Sequence, residues 1–458
     1  MEPPIRMSRR RLLRLGAALG SLPAVLAACA QVEPALSESV RASPLATPRT
    51  AAPSPTLPSP RPSARPRTGR ILYREAALAD GRSATLQRPI SVLVEDGRIA
   101  WIRPSGGEDD PGDADVVDAS GATIVPGMVD AHSHVTGQGG AHWIDRFADD
   151  PQRLLAVADA NGRAAWDAGI RWLRDVGSPV AVDPHDGRER ALALGIRDRW
   201  SERLDLPTIR AAGAWVMRRG SSGVSGAVEA GNADELLAAA IDQLDSGADL
   251  VKLYLDGPEP GVAPWSASEV RRVVDAAHAR DARVTAHAGH LDAARTAVGG
   301  GVDAVEHGFV LDAGVAAQMA AAGTVLVTTL TVFNSWLSFA ATTTQGLFVN
   351  GRAGHAEQLE TAAASVRLAR DAGVAIAAGT DFGGGSPRAG HLAWEVEALV
   401  AAGLEPVDAL AAATWRGGEL LGEPDAGVVR EGGPADFFLV HGDPLSDSAA
   451  LWRVWHNR

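Results

Sequence analysis

From about residue 125 onward, short apolar runs alternate with longer segments in which apolar residues recur every three or four positions. The short runs predict β-strands. The longer segments predict amphipathic helices, such as one that places Val270, Val273, Val274 and Ala277 on one face. Eight strands that alternate with helices are typical of a closed parallel (β/α)8 barrel, the TIM barrel. The predicted strands cover residues 123–132, 170–177, 208–213, 249–256, 283–289, 303–308, 324–332 and 374–381.

The two segments that flank the barrel have a different pattern. Residues 70–124 and 427–458 carry alternating or continuous apolar stretches between Gly and Asp-Gly turns, which indicates short strands joined by tight turns. We therefore expect the two flanks to combine in a small β-sandwich module beside a barrel built from residues 125–426. The predicted fold class is α/β.

The first 69 residues predict export and tethering instead of a folded core. Residues 1–29 contain "SRRRLLRLG", which is similar to a twin-arginine signal, and then an apolar run that ends in "LAAC". The small residues before Cys29, the single cysteine, are similar to a lipoprotein cleavage and acylation site; the alternative is a fortuitous cysteine in an ordinary signal peptide. Residues 30–69 are rich in Pro, Ala, Ser and Arg and predict a disordered tether. The expected location is extracytoplasmic, with a lipid anchor in the membrane.

Net charge and hydropathy narrow the range of partners. The net charge of −13 argues against a nucleic-acid partner, because phosphate binding needs a basic surface. After the signal, the apolar runs are all shorter than the ~20 residues of a membrane span, so membrane contact is expected only through the lipid on Cys29. We expect a small-molecule substrate, and a homo-oligomer is compatible with the sequence.

Candidate metal ligands stand at the ends of five predicted strands. The side chains that do chemistry in such barrels gather at the carboxyl ends of the strands. In "HSH" the two imidazoles lie two residues apart and therefore face the same side of an extended segment. Nitrogen and oxygen donors without cysteine suit Zn²⁺ or a similar divalent ion. The candidates are His132, His134, Lys252, His287, His307 and Asp381.

Taken in order, these motifs resemble the amidohydrolase superfamily over nearly all of residues 70–458. The matching stretches include "GMVDAHSHV", "GADLVKLYLDG", "ARVTAHAGH", "GVDAVEHGF" and "AGVAIAAGTDFG". The chain is similar to the metal-dependent group that contains imidazolonepropionases and Xaa-Pro dipeptidases. The resemblance implies two divalent ions, with Zn²⁺ as the first choice, and a CO₂-derived carbamate that bridges them. On that pattern one ion is held by His132, His134 and Asp381, the other by His287 and His307, and the carbamate forms on Lys252.

Lys252 is the only lysine in the chain, against 42 arginines. A carbamate forms only on a neutral amine. Burial and neighbouring cations readily lower the pKa of a lysine, whereas a guanidinium stays protonated. Arginine therefore cannot take over this role, which explains the exception. The alternative is an unmodified Lys252 cation that pairs with a carboxylate beside a single metal.

The reaction that the resemblance implies is metal-assisted hydrolysis of an amide or peptide-like C–N bond by a metal-bridged hydroxide, with Asp381 moving the proton. Tyr254, His290 and His391 are candidate substrate contacts. Strand packing is the alternative for the tyrosine, and loop packing is the alternative for the two histidines. The other histidines are expected at surface or structural positions: His142, His185, His278, His355, His441 and His456.

Two other functions fit the same residues. A lactone, ester or phosphotriester hydrolase would use the same metals, and a non-catalytic, metal-bearing lipoprotein would bind a ligand without turnover. The complete ligand set, including Asp381, argues against the binding protein because ligand binding needs no proton shuttle. Arg218 and Arg219, near the third strand, either hold a substrate carboxylate or are solvated. The sequence leaves the choice between amide and lactone, ester or phosphotriester substrates open.

Overall fold

The structure is a computed structural model that describes residues 69–107, 112–221 and 224–457. The predicted export signal with Cys29, and all but the last residue of the predicted tether, lie outside these residues. Within the described ranges, every helix is too short or too polar to cross a membrane.

The described residues contain strands throughout and helices from residue 144 onward. The strands are β1 (Arg70–Leu78), β2 (Gln87–Glu95), β3 (Arg98–Pro104), β4 (Asp115–Asp118), β5 (Ala122–Pro126), β6 (Met128–Ser133), β7 (Ile170–Asp175), β8 (Val180–Val182), β9 (Glu189–Ala191), β10 (Thr208–Ala211), β11 (Val216–Arg218), β12 (Val228–Ala230), β13 (Leu250–Tyr254), β14 (Arg283–Ala288), β15 (Ala304–His307), β16 (Val325–Thr328), β17 (Ile376–Ala378), β18 (Phe437–His441) and β19 (Val454–Asn457). The α-helices are α1 (Pro151–Asp167), α2 (Leu192–Trp200), α3 (Ala233–Asp245), α4 (Ala267–His278), α5 (Leu291–Gly300), α6 (Ala313–Ala322), α7 (Thr331–Phe339), α8 (Gly346–Asn350), α9 (Arg352–Asp371), α10 (Leu392–Ala401), α11 (Pro406–Ala412) and α12 (Trp415–Leu421). Two 3₁₀ helices span Ile144–Ala148 and Ser448–Trp452.

Eight of these strands form the predicted closed barrel. Neighbours pair in parallel in two groups, β6 with β7 and β10, and β13 through β17. The N–H of Asp249 donates to the carbonyl of Ala211 at 2.8 Å and joins β10 to β13. The N–H of Asp381 donates to the carbonyl of His132 at 2.9 Å and joins the end of β17 to β6. The two groups therefore close into one ring, which confirms the predicted (β/α)8 barrel.

Helix α4 shows how local sequence fixes the outer layer. At its start, Ser266 Oγ accepts from the N–H of Glu269 at 3.3 Å, and the Glu269 carboxylate accepts from the N–H of Ser266 at 2.7 Å. This reciprocal capping box satisfies two backbone donors that the first helical turn leaves without partners. The predicted apolar face, Val270, Val273, Val274 and Ala277, is buried in the core that the helices share with the barrel strands.

The two flanks of the barrel form one seven-stranded sheet. Its order is β19-β18-β5-β1-β2-β3, with β4 alongside β1, so strands from before and after the barrel are neighbours. β18 pairs antiparallel with β5, and the rings of Tyr73 and Phe437 meet edge to face at 5.2 Å in the core of this module. The expectation that the C-terminal flank joins the N-terminal one is confirmed.

The observed strands are mostly shorter than the predicted ones, and two predicted strands also run into a second element. The run 123–132 is divided at Gly127 into β5, in the module, and β6, in the barrel; a Cβ at this glycine would overlap the Arg171 side chain. The run 324–332 ends at residue 328, because the buried carboxylate of Glu395 accepts from the N–H groups of Leu330 at 3.0 Å and Thr331 at 2.8 Å and so caps the start of α7.

Candidate metal centre

The structure brings five of the six predicted ligands into direct contact with one another inside the carboxyl end of the barrel. Nε2 of His132 and Nε2 of His134 lie 3.4 and 3.3 Å from the same oxygen, Oδ1 of Asp381. The ring of His307 is 4.6 Å from that of His132 and 4.5 Å from that of His287, measured between centroids. Potential ligand atoms of His132, His307 and Asp381 all lie within 4.8 Å of one another. This spacing fits a metal ion shared by groups from different strands.

Each of the four histidines has one ring nitrogen engaged by a partner outside the candidate ligand set. Such partners fix the ring orientation and the tautomer of metal-binding histidines. For His132 and His134, this arrangement directs the other ring nitrogen at Asp381. The contacts are His132 Nδ1 to Glu306 Oε2 at 2.6 Å, His134 Nδ1 to the Gly177 carbonyl at 2.7 Å, His287 Nε2 to Asp256 Oδ2 at 2.9 Å, and His307 Nδ1 to Thr329 Oγ1 at 2.8 Å.

The protonation states of the buried ligands suit a divalent cation. Burial, reinforced by the charge of Lys252, lowers the pKa of His132. Burial and the neighbouring imidazoles of His287 and His132 lower the pKa of His307 well below its usual value. Burial alone would raise the pKa of Asp381, but the imidazoles around it outweigh this effect and hold the pKa well below its usual range. Neutral imidazoles beside an ionised carboxylate form a donor set that fits Zn²⁺ or a similar ion.

Lys252 lies on β13, among these groups, and is 1% exposed. Burial lowers the pKa of Lys252 to about 8, because the low-dielectric interior disfavours the ammonium form. The charge of Glu306 opposes this effect and that of Arg174 adds to it. A sizeable fraction of the amine is therefore neutral at ordinary pH, the state that carbamate formation requires.

The backbone is strained at two of the candidate ligands. His307 has φ of 68° and Asp381 has φ of 55°, in the left-handed region that residues with a side chain rarely adopt. Such strain persists only where surrounding contacts hold it, and it is concentrated at functional sites. His307 is the last residue of β15 and Asp381 lies three residues past the end of β17, so both stand at the carboxyl ends of barrel strands.

A layer of buried carboxylates behind the ligands is the main feature that the sequence reasoning missed. Glu306 accepts from His132 and from the guanidinium of Arg174, and both of these side chains are buried with it. Burial raises the pKa of Asp130 to about 7, and its carboxylate accepts from the N–H and hydroxyl of Thr380 at 3.0 and 2.7 Å. The only sequence signal for these two carboxylates is that they stand close to predicted ligands. Glu306 directly precedes His307 in "VEHG", and Asp130 precedes the two histidines in "VDAHSH".

The predicted substrate contacts lie in different places. Tyr254 stacks on His287 with ring centroids 4.0 Å apart, at the centre of the site. Nδ1 of His290 accepts from the N–H of Ala293 at 3.2 Å, so this histidine caps α5 beside the site. The ring of His391 packs against Trp394 at 6.1 Å and Trp452 at 5.4 Å, which places it against the C-terminal segment and supports the loop-packing alternative.

Arg218, the last residue of β11, and Arg219, which follows it, have local partners. The guanidinium of Arg218 lies 4.7 Å from the centre of the Trp265 ring, and Arg219 pairs with Glu235 at 3.3 Å while its side chain is 66% exposed. The solvated alternative therefore describes Arg219. Of the histidines expected at structural positions, His278 pairs with Asp303 at 3.0 Å and His355 is buried against Trp336.

Aromatic rings cover the outer sides of three ligand histidines. The Trp215 ring stacks on His134 with centroids 5.2 Å apart, and Tyr254 stacks on His287. The centroid of the Phe309 ring lies 5.0 Å from that of His307. Trp215 belongs to an apolar cluster with Phe147 and Tyr254. The walls next to the candidate metal ligands are therefore largely apolar.

Comparisons with known proteins agree with this geometry. The model of the amidohydrolase family matches residues 123–455. An uncharacterized protein of Mycobacterium tuberculosis is 33% identical over 392 residues, which cover 84% of this chain and 94% of that protein. The imidazolonepropionase of Deinococcus deserti is 27% identical over 395 residues, covering 80% and 89% of the two chains.

A similar fold is found in the crystal structure of a Xaa-Pro dipeptidase with bound methionine in its active site. The TM-score is 0.72, the sequence identity is 24%, and the match covers 84% of this chain and 97% of that one. The barrel with an added β-rich module is thus shared with enzymes of this kind. The chain belongs to the amidohydrolase family and is a metal-dependent hydrolase that acts on carbon–nitrogen bonds.

Proposed function

We propose that this protein is an exported, binuclear amidohydrolase that cleaves an amide or peptide-like C–N bond in a small molecule. The observation that carries the proposal is the position of Lys252. The only lysine of the chain is buried at the centre of the candidate ligands, with its pKa lowered to about 8 by burial. The chain uses arginine for its cations everywhere else, and a lysine differs from arginine in that its amine can lose the proton when buried.

In this proposal the two halves of the site hold one divalent ion each. His132, His134 and Asp381 hold the first, and His287 and His307 hold the second. A carbamate, formed if the neutral Nζ of Lys252 took up CO₂ and lost one proton, would supply two further oxygen ligands. Bound divalent ions polarise a carbonyl and lower the pKa of bound water toward about 7.

Asp381 is the proposed proton carrier. Its carboxylate is ionised in the protein, because the imidazoles around it hold its pKa well below the usual range. In this proposal the ionised carboxylate accepts a proton from the attacking water and passes it to the nitrogen that leaves when the C–N bond breaks. The contacts of 3.4 and 3.3 Å from Oδ1 to His132 and His134 leave Oδ2 as the oxygen that handles the proton.

The walls of the site favour an uncharged, apolar group next to the scissile bond. Trp215, Tyr254 and Phe309 each lie against a ligand histidine. A charged group among these rings would lose hydration without gaining a partner. The Tyr254 hydroxyl is proposed to donate a hydrogen bond to the substrate. The names of the similar proteins, imidazolonepropionase and Xaa-Pro dipeptidase, support a C–N bond over the lactone, ester and phosphotriester alternatives.

A substrate panel tests the reaction class. The zinc-loaded protein is assayed with N-acyl amino acids that have aromatic, aliphatic or charged acyl groups, and with dipeptides, lactones, aryl esters and a phosphotriester. We expect the highest kcat/KM for an amide with an aromatic or aliphatic group. A methylene of apolar contact contributes about 1 kcal/mol, so aromatic acyl groups should exceed charged ones by at least about tenfold. Activity confined to lactones, esters or phosphotriesters would reject the C–N proposal.

The proposed lipid anchor is tested by replacing Cys29, which lies outside the described residues. Cys29→Ser removes the thiol that would carry the lipid, so the protein should move from the membrane fraction to the soluble extracytoplasmic fraction. The measurement is the distribution of the full chain between these fractions after expression in a bacterial host. A serine variant that stays in the membrane fraction to the same extent would contradict the anchor.

A further inference from the structure

Asp256 is a buried carboxylate that contacts the Nε2 atom of the candidate ligand His287. It lies just past the end of β13, four residues after Lys252, and is 1% exposed. Its Oδ2 is 2.9 Å from Nε2 of His287, and its Oδ1 is 3.4 Å from Nε2 of His290. The N–H of Gly289 donates to both oxygens at 3.1 Å. The carboxylate therefore stands between two imidazoles and a backbone donor.

These contacts define the tautomers of both histidines. Nδ1 of His290 accepts from the N–H of Ala293, so the ring proton of the neutral form is on Nε2, which faces Asp256. An ionised carboxylate only accepts hydrogen bonds, so His287 donates to it from Nε2. Nδ1 of His287 is then the nitrogen with the free electron pair, the form in which an imidazole binds a metal.

The backbone beside this carboxylate is shaped for its approach. A Cβ at Gly289 would lie 2.5 Å from Oδ2 of Asp256, closer than side-chain carbon atoms are found in proteins. Glycine at this position allows the carboxylate to reach the N–H that follows β14. The glycine thus forms part of the same arrangement as Asp256, His287 and His290, although it has no side chain.

We propose that Asp256 is a positioning residue of the metal centre. It fixes His287 in the tautomer whose Nδ1 binds a metal, and the N–H of Gly289 holds the two carboxylate oxygens in place. The inference rests on the proposed function because it takes His287 as a ligand. It adds one residue, Asp256, that acts through His287 and does not touch the metal.

The test is the metal affinity of Asp256→Asn, measured by competition between the protein and a chelator of known zinc affinity. Asparagine has nearly the same shape, but only its carbonyl oxygen can accept, while its amide group donates. The contacts of Asp256 with the Gly289 N–H and with Nε2 of His287 and His290 can then no longer all be satisfied. Partners of this kind typically change metal affinity by about 10–100-fold, so we expect a loss in that range for the weaker-bound zinc.

Asp303→Asn is a matched control. Asp303 also accepts from one histidine, His278 at 3.0 Å, and from one backbone N–H, that of Val284 at 2.7 Å. None of these three residues is a candidate ligand, so the variant should bind zinc like the wild type. Equal zinc affinities for Asp256→Asn and Asp303→Asn would overturn the inference about Asp256. If the wild type still binds two zinc ions in that case, the proposed function stands. A wild type that binds no zinc would reject the proposed function itself.

Two further measurements separate positioning from a general loss of structure. In the His287→Ala background, Asp256→Asn should cause no additional loss of zinc affinity, because the two residues act as a unit. Nitrogen NMR of the ¹⁵N-histidine-labelled, metal-free wild type identifies the His287 signal as the one that disappears in His287→Ala. That signal should show a proton on Nε2, and a proton on Nδ1 would overturn the inference even if Asp256→Asn fails to fold.

Discussion

Lys252→Arg is expected to lower kcat/KM by more than about 100-fold and to leave at most one divalent ion per chain, where the proposed function gives the wild type two. Removing an outer partner of a metal ligand typically costs 10–100-fold, so the loss of a bridging ligand should cost more. Arginine preserves the positive charge, but its guanidinium stays protonated and cannot form a carbamate. Elemental analysis of the purified proteins gives the metal content, and the best substrate of the panel gives kcat/KM.

Chemical rescue distinguishes the carbamate from an unmodified lysine cation. Lys252→Ala leaves a space where the side chain was buried, and acetate or propionate supplies a carboxylate of similar size to the carbamate. We expect either acid to restore part of the activity and of the second metal, and methylamine to restore neither. Rescue by methylamine alone, or full activity of Lys252→Arg with two metals, would favour the unmodified cation.

The lowered pKa of Lys252 gives this site a pH dependence. Its pKa of about 8 means that the neutral amine, which reacts with CO₂, becomes the major form above that pH and is scarce at pH 6. Protein stripped of metal and CO₂ should therefore recover activity more slowly at pH 6 than at pH 8 when dissolved CO₂ and zinc are held constant. Recovery rates that do not change with pH would contradict a carbamate formed on this amine.

The barrel could be predicted from sequence because its signals are local. Each strand is a short apolar run, each helix has its own apolar face, and the chemistry stands at strand ends that a closed barrel brings together. Gly127 and the start of α7 are two places where a prediction from the local sequence fails. The break at Gly127 depends on Arg171, 44 positions away, and the helix start depends on Glu395, 64 positions from Thr331.

The six candidate ligands could be chosen from sequence, but the groups behind them could not. Five of the ligands are histidines or the single lysine, which are rare in this chain, and Asp381 follows the last barrel strand. Glu306 and Asp256 are two among 56 acidic residues without such a signal. Their partners are defined only by the fold: Glu306 meets His132 across 174 positions, and Asp256 meets His287 across 31. His391 follows the last barrel strand, and the contact of its ring with Trp452 at 5.4 Å comes from a distant part of the chain that the local sequence does not reveal.

Glu306→Gln is expected to destabilise the protein by about 3–5 kcal/mol, because breaking a buried ion pair from one side leaves the other charge uncompensated. Glu306 and Arg174 are 0% and 3% exposed, and the carboxylate also accepts from His132 at 2.6 Å and from Thr285. Burial alone would raise the pKa of Glu306, but Arg174, then His132 and Lys252, outweigh it and hold the pKa well below its usual range. The measurement is the free energy of unfolding of the metal-free protein in urea.

The loss of stability on removing a glutamate charge should depend on how deeply the ion pair is buried. A second glutamate, in an exposed ion pair, tests this dependence. Glu360 pairs with Arg367 at 2.7 Å, but its side chain is 75% exposed, so Glu360→Gln should cost less than about 1 kcal/mol. Adding Arg174→Met to Glu306→Gln removes the uncompensated charge and should recover part of the lost stability. If Glu306→Gln unfolds at the same urea concentration as Glu360→Gln, the buried pair does not stabilise the fold, and His132 must be held in place by the strand geometry alone.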